Sequence, residues 1–560
     1  MTRRLFVLMA VSLALFLPYS ASAADSKAAA DNPQLLAANQ LYESGKFAEA
    51  AEKYQSILQT DPKLVPAQAG LIRCLLREQK IDESYAAASS ALAAQPNSAP
   101  LLAAMGDVEF RRAEMQEAES SYRKALNADS KETRAYLGLA RMYHVYSLYG
   151  GAYQQLKLAH QIAPNDPEVE RRWFGQLPRR ERIAALEAYL AGRHPDDPEE
   201  TQSLQHYLEY LKATADKPVH ACKLTSKVEQ TDTSLETMRR DPQHVVGTGL
   251  VVRLNDRNNR LILDTGASGI LIGRKAAEKS GLAPIAQTQY GGVGEKGMQG
   301  GYIAVADHIR VGQLEFADCV VRVTDRASIT DEDGLIGADV FSSYLIDIDL
   351  PGQKLRLSPL PKRPDETVTP TGLNSEGESR SNPDDKAESQ SEQKAESANP
   401  ASKPAAPSRP LPRDRYVAPE MANWTPVLRF GHALLIFTRV NDSPPMLFLI
   451  DTGSQRNTLS TRAGRQVTKI SSDPNMHVKG LSGQVADVYR ADKATLVFAH
   501  FAQKNQNMVT FDLSNISKNF GTEVSGTLGF EILHMFQLKI DYRDGLVDFV
   551  YDATRFPPAR

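Results

Sequence analysis

The sequence is poor in cysteine and has no marked excess of charge of either sign. Its 560 residues include three cysteines, which excludes a disulfide-dense scaffold and disfavours a cysteine-rich zinc module. Because 65 basic residues face 68 acidic ones, the net charge of −3 argues against a dedicated nucleic-acid binder or a polybasic membrane binder. Cys74, Cys222 and Cys319 lie in three different segments and their spacing indicates no pairing, so we expect buried free thiols, with a structural disulfide in an oxidising compartment as the alternative.

Three further kinds of feature find no support in the sequence. The 11 histidines form no His-x-x-x-His pattern, so we predict no metal site and no cofactor. No Gly-x-Ser-x-Gly segment precedes a helix, so serine-hydrolase chemistry is not indicated. Beyond the N-terminal region no apolar run approaches the ~18 residues of a spanning helix, so we expect no stable membrane anchor.

The first 23 residues are typical of a secretory signal peptide. The start is positively charged, an apolar run extends from Leu5 to Leu17, and Ala21-Ser22-Ala23 is a small-residue cleavage site. The run is shorter than the ~20 residues that a membrane-spanning helix needs. We therefore predict a signal peptide over residues 1–23 and an exported protein, periplasmic or secreted.

Residues 31–215 carry a 34-residue repeat. Helix-ending residues recur at this spacing at Asp61-Pro62, Gln95-Pro96, Asp129-Ser130, Ala163-Pro164 and Asp197-Pro198. Small and aromatic residues recur in phase before them, as at Ala118 and Tyr122, with Gly106 in the preceding helix. The pattern resembles tetratricopeptide repeats (TPRs), in which small residues lie where antiparallel helices cross. The resemblance implies an all-α TPR solenoid whose groove binds a protein partner.

Two strand-like stretches after residue 243 repeat the same order of motifs. In each, an apolar strand runs into Asp-Thr-Gly, at Asp264 and again at Asp451, and a glycine-rich hairpin and a late apolar-apolar-Gly segment follow. The hairpin glycines are Gly291, Gly292 and Gly294 in the first copy and Gly480 and Gly483 in the second, and the late glycines are Gly337 and Gly529. A lone Asp-Thr-Gly is a weak signal, whereas two in the same context indicate a duplicated domain.

The two copies resemble the retropepsin-like aspartic proteases, over residues 243–360 and 423–555. The resemblance implies a mainly-β acid-protease domain for each copy, with Asp264 and Asp451 as the catalytic residues. The residues that support this pair would be Thr265, Gly266, Thr452 and Gly453. The glycine-rich hairpins would be flaps over the substrate, and the late segments would cross behind the catalytic loops. The expected fold class is therefore multidomain, an all-α solenoid followed by two mainly-β domains.

The chemistry of peptide hydrolysis explains why two aspartates are needed. Two carboxylates held about 3 Å apart cannot both ionise, so they share one proton. The ionised member takes a proton from water, and the other hydrogen-bonds the scissile carbonyl. The threonine hydroxyl can bond backbone across the two-fold axis, and the glycine lets the backbone approach the facing loop. The sequence thus predicts an aspartic endopeptidase that acts on a protein or peptide substrate.

Each copy supplies one aspartate, so an active site needs two copies. Residues 364–412 contain no aromatic residue and are rich in Ser, Glu, Pro, Lys and Ala, so we expect a disordered linker there. Such a linker spans about 40 Å as a random coil. It lets Asp264 and Asp451 meet within one chain, and tethering favours this by raising their effective concentration to about the mM range. Pairing of like copies in a homodimer stays open.

Two functions of different classes fit the sequence. The second copy departs more from the pattern, with Gln455, Thr527 and Glu531 where the first has serine, an apolar residue and aspartate. The alternative to a protease is therefore a non-catalytic adaptor whose repeats and protease-like copies both bind peptides. In a protease, the repeats would recruit substrate. They could also mask the cleft, in which case deleting the residues before about 240 would raise peptidase activity.

Overall fold

The computed structural model describes most of the chain after its N-terminal segment. The described residues are 32–192, 198–215, 222–241, 244–293, 299–326, 332–364, 366, 372–374, 413–480, 483–485 and 487–556. The predicted signal peptide and residues 375–412 of the predicted linker lie outside them. Within the described ranges, no helix combines the length and the apolar character needed to cross a membrane.

The N-terminal part of the described chain is helical, and its helices follow one another through short turns in pairs. The second helix of a pair ends beside a predicted turn, as α2 does at Thr60 before Asp61. The helices are α1 (Pro33–Glu43), α2 (Phe47–Thr60), α3 (Val65–Arg77), α4 (Ile81–Ala94), α5 (Ala99–Arg111), α6 (Met115–Ala128), α7 (Thr133–Val145), α8 (Tyr149–Ile162), α9 (Pro167–Trp173), α10 (Arg179–Ala191) and α11 (Pro198–Ala213). We call them the helical array. They confirm the prediction of all-α repeats.

Glycines let the helices of neighbouring repeats approach closely. The ring of Tyr122, which is fully buried in α6, packs against Gly106 of α5 and Gly138 of α7. A Cβ atom at Gly106 would lie 2.6 Å from this ring, and one at Gly138 would lie 2.3 Å from it. Tyr54 of α2 packs against Gly70 of α3 in the same way. Small residues are therefore required where these helices meet, as the repeat pattern predicted at Gly106.

The remaining described residues form two β units with a similar order of elements, which we call the first β unit (residues 222–364) and the second β unit (residues 413–556). The first contains β1 (Lys223–Leu224), β2 (Thr231–Asp241), β3 (His244–Leu254), β4 (Arg257–Asp264), β5 (Ile270–Gly273), α12 (Arg274–Lys279), β6 (Ala286–Tyr290), β7 (Gln299–Val311), β8 (Leu314–Thr324), β9 (Gly334–Gly337), a 3-10 helix (Ala338–Phe341), β10 (Tyr344–Asp349) and β11 (Lys354–Pro359). The second contains β12 (Thr425–Pro426), β13 (Leu428–Phe430), β14 (Ala433–Val440), β15 (Met446–Ile450), β16 (Thr458–Ser460), α13 (Thr461–Val467), β17 (Ile470–Ser472), β18 (Val478–Gly480), β19 (Gly483–Val485), β20 (Val488–Phe498), β21 (Phe501–Phe511), α14 (Ser514–Phe520), β22 (Gly526–Leu528), α15 (Phe530–Leu533), β23 (Phe536–Asp541) and β24 (Leu546–Tyr551).

A continuous sheet joins the two β units. Strand β10 of the first unit pairs antiparallel with β23 of the second, with Ile346 opposite Ile540. The strand order across this junction is β12-β24-β23-β10-β11-β2. Ile346, Ile348, Leu538 and Ile540 are all buried at the junction. The backbone ladder and these apolar side chains therefore hold the units together within one chain.

The helical array packs directly on the second β unit. The rings of Phe110 and Phe430 lie 6.2 Å apart, and both belong to one apolar cluster that also contains Leu435 and Leu449. Two hydrogen bonds reinforce this contact. Thr522 Oγ1 donates to the Phe110 carbonyl at 2.7 Å, and the Glu523 N–H donates to the next carbonyl along α5 at 2.9 Å. Strand β15 is buried along both faces because the array covers the face turned away from the β core.

The last helices of the array pack on the first β unit. Tyr189 of α10 and Tyr210 of α11 share an apolar cluster with Ile303 and Val320 of strands β7 and β8. The array therefore spans both β units, and each rests on a different part of it. This packing gives the array a structural role that the sequence pattern did not indicate.

The expectation of free thiols is wrong for two of the three cysteines. Cys222 and Cys319 form a disulfide, with their Cα atoms 4.5 Å apart. Strand β1 pairs antiparallel with β8, with Lys223 opposite Ala317, which brings the two cysteines together. Their separation of 97 residues hides this proximity in the sequence. Cys74 is free and buried, as expected.

Both ends of the predicted linker are bound to the turn between β23 and β24. On the N-terminal side, Arg363 forms an ion pair with the buried carboxylate of Asp544. On the C-terminal side, Arg415 donates to the Asp544 carbonyl at 2.6 Å, and the Tyr416 N–H donates to its carboxylate at 2.8 Å. The residues that flank the linker on its two sides are therefore held at the same turn.

Residues 372–374 lie inside the predicted linker but are packed on the first β unit. Leu373 is buried, and its N–H donates to the Cys222 carbonyl at 3.3 Å. The N–H of Asn374 donates to the Val340 carbonyl at 2.7 Å. The expected disorder therefore does not extend to these three residues.

Candidate active site

The two Asp-Thr-Gly segments occupy equivalent places in the two β units. Asp264 ends β4, which runs parallel to β9 with Asp264 opposite Gly337. Asp451 directly follows β15, which runs parallel to β22 with Ile450 opposite Leu528. In each unit a further strand, β5 or β16, pairs antiparallel with the late strand. The late glycine segments therefore lie beside the strands that carry the aspartates.

The threonines of the two segments exchange hydrogen bonds within one chain. The N–H of Thr265 donates to Thr452 Oγ1 at 3.0 Å, and the N–H of Thr452 donates to Thr265 Oγ1 at 3.0 Å. Each hydroxyl also donates across to the other unit, Thr265 to the Ile450 carbonyl at 2.8 Å and Thr452 to the Leu263 carbonyl at 3.0 Å. Both threonines are buried, so each of these polar groups depends on the opposite segment for its partner.

The carboxylates accept hydrogen bonds from the backbone of their own loops. Asp264 accepts from the N–H of Gly266 at 2.8 Å. Asp451 accepts from the N–H of Gly453 at 3.0 Å and from that of Ser454 at 2.9 Å. These donors orient both side chains toward the junction of the units.

Each glycine faces the carboxyl group of the opposite unit. A Cβ atom at Gly266 would lie 2.8 Å from Cγ of Asp451. A Cβ atom at Gly453 would lie 2.4 Å from Cγ of Asp264. Any side chain at either position would therefore displace the facing carboxyl group, which explains why glycine follows both threonines.

Burial raises the pKa of both aspartates, and the charge of Asp264 raises the pKa of Asp451 further. For Asp264, burial raises the pKa, and hydrogen bonds from Gly266 and from Asp451 oppose it. For Asp451, burial is again the largest cause, and the negative charge of Asp264 adds to it, so its pKa lies well above the usual range. Two adjacent, partly buried carboxyl groups of this kind do not readily ionise together.

The two glycine-rich hairpins contact each other beside their turns, at Val293 and Gly480. Gly291 and Gly292 follow β6 in the first hairpin, and Gly480 and Gly483 flank the turn of the second, while Gly294 lies outside the described residues. A Cβ atom at Gly480 would lie 2.3 Å from the carbonyl oxygen of Val293. The close approach of the hairpins therefore requires a residue without a side chain at position 480.

An acidic residue after each late glycine anchors the loop that carries the aspartate. In the first unit, the carboxyl group of Asp339 accepts from the N–H of Gly269 at 3.0 Å. In the second, the carboxylate of Glu531 accepts from the N–H of Asn457 at 3.2 Å. Glu531 therefore has the same anchoring role in the second unit as Asp339 has in the first. The hydroxyl of Thr527, another departure from the pattern, forms a hydrogen bond with the hydroxyl of Thr458 at 2.7 Å.

Some polar residues of this region had no sequence signal. Ser454 contributes an N–H to Asp451, and Asn457 accepts from the Gly529 N–H at 2.9 Å. Arg429 and Tyr542 lie near Asp339 but belong to the second unit. The positions of Arg429 and Tyr542 become apparent only from the three-dimensional packing of the second unit beside the first. Across the described ranges, no group of three or more His, Cys, Asp or Glu side chains is placed to hold a metal ion.

Comparison with known proteins gives two family matches. Residues 250–340 match the aspartyl protease family, a span that includes Asp264 but not Asp451. Residues 41–107 match the tetratricopeptide repeat family. A 99-residue segment is 34% identical to a probable UDP-N-acetylglucosamine–peptide N-acetylglucosaminyltransferase, SPINDLY, of Arabidopsis thaliana. That segment covers 18% of this chain and 11% of the relative, so the chain spans about a tenth of its length.

Two solved structures show weak similarity. An aspartic proteinase from Irpex lacteus is 10% identical, with a TM-score of 0.31 over 59% of this chain and 100% of its own. A thermophilic TPR protein from Thermus thermophilus is 16% identical, with a TM-score of 0.26 over 32% of this chain and 97% of its own. The family matches and the observed elements agree on two parts. The chain contains tetratricopeptide repeats followed by a β-rich region with an aspartyl protease family domain.

Proposed function

We propose that the protein is an aspartic endopeptidase whose catalytic pair is Asp264 and Asp451 of the same chain. The reciprocal hydrogen bonds between Thr265 and Thr452 carry this proposal, because they bring the two aspartate loops face to face. The glycines that follow leave room for the facing carboxyl groups. The second β unit is then a second retropepsin-like domain, although the family match covers only the first.

In this mechanism the pair holds one proton between its two carboxyl groups at working pH. The ionised carboxylate takes a proton from a water molecule, whose oxygen attacks the carbonyl carbon of the scissile peptide. The protonated carboxyl group hydrogen-bonds the carbonyl oxygen, and the proton taken from water then passes to the leaving amine.

The hairpins and the helical array have supporting roles in this proposal. The glycine-rich hairpins act as flaps, and their contact at Val293 and Gly480 favours a closed state over the substrate. The array binds a protein, as tetratricopeptide repeats do through their grooves. We also propose that the protein is exported, because its first residues resemble a signal peptide and Cys222 and Cys319 form a disulfide.

Cleavage of a random peptide library by the mature protein tests this function. We expect cleavage at acidic to neutral pH that a statine-type transition-state analogue abolishes, because such an analogue hydrogen-bonds to an aspartate pair. Chelators and serine-reactive reagents serve as controls and should leave the rate unchanged. Absence of cleavage across pH 3–8, with the protein folded, would overturn the protease and leave the non-catalytic adaptor.

A further inference from the structure

The strands that follow the two aspartate loops differ in polarity at equivalent positions. Strand β5 pairs with β9 in the first β unit as β16 pairs with β22 in the second, which makes Leu271 and Thr458 equivalent. The residues before them, Ile270 and Asn457, are therefore equivalent too, and each lies six residues after its aspartate. Ile270 is fully buried among apolar side chains, and Asn457 is only 1% exposed. The second unit thus buries an amide where the first buries an aliphatic side chain.

The amide of Asn457 has a hydrogen-bond partner on each side. Its Oδ1 accepts from the N–H of Gly529 at 2.9 Å. Its Nδ2 donates to Gln503 Oε1 at 2.9 Å and to Asn505 Oδ1 at 3.3 Å, both on strand β21. Asn505 is itself held by a hydrogen bond from its Nδ2 to the Ala494 carbonyl of β20 at 3.3 Å. A reversed amide would set its N–H donors against the N–H of Gly529, so the neighbours select one orientation.

The first unit satisfies the equivalent N–H in a different way. The N–H of Gly337 donates to the backbone carbonyl of Gly269 at 2.8 Å. Gly269 has a φ of 65°, a left-handed conformation that residues with a side chain adopt at a cost. The second unit has Arg456 at this position, which does not have a positive φ, and its carbonyl accepts from the Ser454 hydroxyl at 3.1 Å. The side-chain oxygen of Asn457 therefore takes the place of the Gly269 carbonyl.

Hydrogen bonds connect this amide to the carboxylate of Asp451. Gly529, which donates to Asn457, is followed by Phe530, whose N–H donates to the Ser454 carbonyl at 2.7 Å. The N–H of Ser454 in turn donates to the Asp451 carboxylate at 2.9 Å. A displacement of Gly529 would therefore pass through Phe530 and Ser454 to the carboxylate.

We propose that Asn457 is a positioning residue for Asp451 and that its amide ties the Asp451 loop to strand β21. It acts through the Gly529 N–H, and none of its side-chain hydrogen bonds within the described ranges reaches either aspartate. The effect on catalysis rests on the proposed function, whereas the hydrogen bond from Gly529 does not. Misplacing a reacting group by about 1 Å can cost about 10²-fold in rate, so loss of the amide should lower kcat.

Hydrogen exchange tests the bond without any activity. Asn457→Ile installs the residue of the first unit and leaves the Gly529 N–H without its acceptor. Mass spectrometry of peptides that cover residues 526–533 should then show exchange of this N–H about tenfold faster than in wild type. Adding Arg456→Gly installs the glycine of the first unit as well. This double variant should recover protection, because glycine can turn a backbone carbonyl toward the Gly529 N–H.

The matched control is Thr458→Val combined with Thr527→Val. This pair removes a buried hydrogen bond from the same two strands but leaves the Asn457 amide in place, so the exchange of Gly529 should match wild type. If Asn457→Ile does not fold, Gln503→Leu combined with Asn505→Leu removes the acceptors that orient the amide. That variant should accelerate the exchange of Gly529 in the same direction and to a smaller extent.

Steady-state kinetics separates a positioning role from a purely structural one. We expect folded Asn457→Ile to lose about tenfold or more in kcat with KM little changed, and the double variant with Arg456→Gly to regain part of this loss. Unchanged exchange of Gly529 in the folded variants, no recovery in the double variant, or an equal loss of kcat in the threonine control would overturn the proposal. A wild type without peptidase activity would overturn the proposed function, while the exchange data would still decide the role of the amide.

Discussion

Thr265 and Thr452 each accept a hydrogen bond from the backbone N–H of the other. Each also donates its hydroxyl to a carbonyl on the opposite strand, so four hydrogen bonds cross between the β units at this point. Because both residues are buried, no water is available to replace a lost partner. This relationship fixes the distance between the two aspartate loops.

Removing one of these hydroxyls should destabilise the protein. Thr452→Val keeps the shape of the side chain but leaves the Thr265 N–H and the Leu263 carbonyl without partners. A buried unsatisfied polar group costs about 1–3 kcal/mol, so unfolding in urea should show a loss of at least this size. Thr452→Ser keeps the hydroxyl and is the control. Equal stability of the valine and serine variants would show that the hydrogen bonds do not hold the loops.

The dependence of activity on pH should be bell-shaped. Activity rises as the first proton leaves the aspartate pair and falls as the second leaves, because only the singly protonated pair is active. The pKa of both members is raised, so the falling limb should lie well above the pKa of an ordinary carboxyl group. The profile of kcat/KM between pH 2 and 9 measures this. A falling limb near pH 4 would contradict the burial of the pair.

Deleting the helical array should not activate the protein. A chain that begins after residue 215 exposes Phe430, Leu435 and Leu449, which the array covers in the intact molecule. An exposed apolar face of this kind promotes aggregation. We therefore expect an insoluble or partly unfolded product, as judged by gel filtration and circular dichroism. A soluble fragment with higher peptidase activity would support the opposite hypothesis, that the array masks the cleft.

Cutting the linker should leave the two β units together. Both ends of residues 364–412 are bound at Asp544, and the units share the sheet in which Ile346 pairs with Ile540. A site for a specific protease inserted between residues 375 and 412 allows a single cut. After cutting, the two fragments should elute together in gel filtration without denaturant and separate in urea. Separation under native conditions would mean that the linker, not the sheet, keeps the units paired.

The parts of the site that sequence reasoning predicted are those encoded within a short segment. An Asp-Thr-Gly loop by itself places a carboxylate, a hydroxyl group and a backbone segment that can approach the facing loop closely. Both copies do so, at Asp264 and at Asp451. The 34-residue period likewise predicted where the helices end, because each repeat specifies one helix pair. The roles expected for Gly337 and Gly529 came from the resemblance to the retropepsin-like proteases.

Features that depend on distant pairings were missed. Cys222 meets Cys319 only because β1 pairs with β8, and nothing near either residue encodes that pairing. The docking of the array on β15 had no clear signal. The run Met446–Ile450 is apolar throughout, as a strand covered on both faces requires, but residues 261–263 of β4 are apolar too, so the run alone does not distinguish the two strands. Arg429 had no sequence signal, because an isolated arginine is ordinarily exposed.

The most direct measurement of the central claim is the cleavage rate of a denatured protein substrate by two single variants, Asp264→Asn and Asp451→Asn. Each keeps the size of the side chain but cannot exchange the proton. If both aspartates form one catalytic pair, each variant should lose at least about 10²-fold in kcat/KM while unfolding as cooperatively as the wild type. Full activity in either folded variant would contradict a catalytic pair made of Asp264 and Asp451.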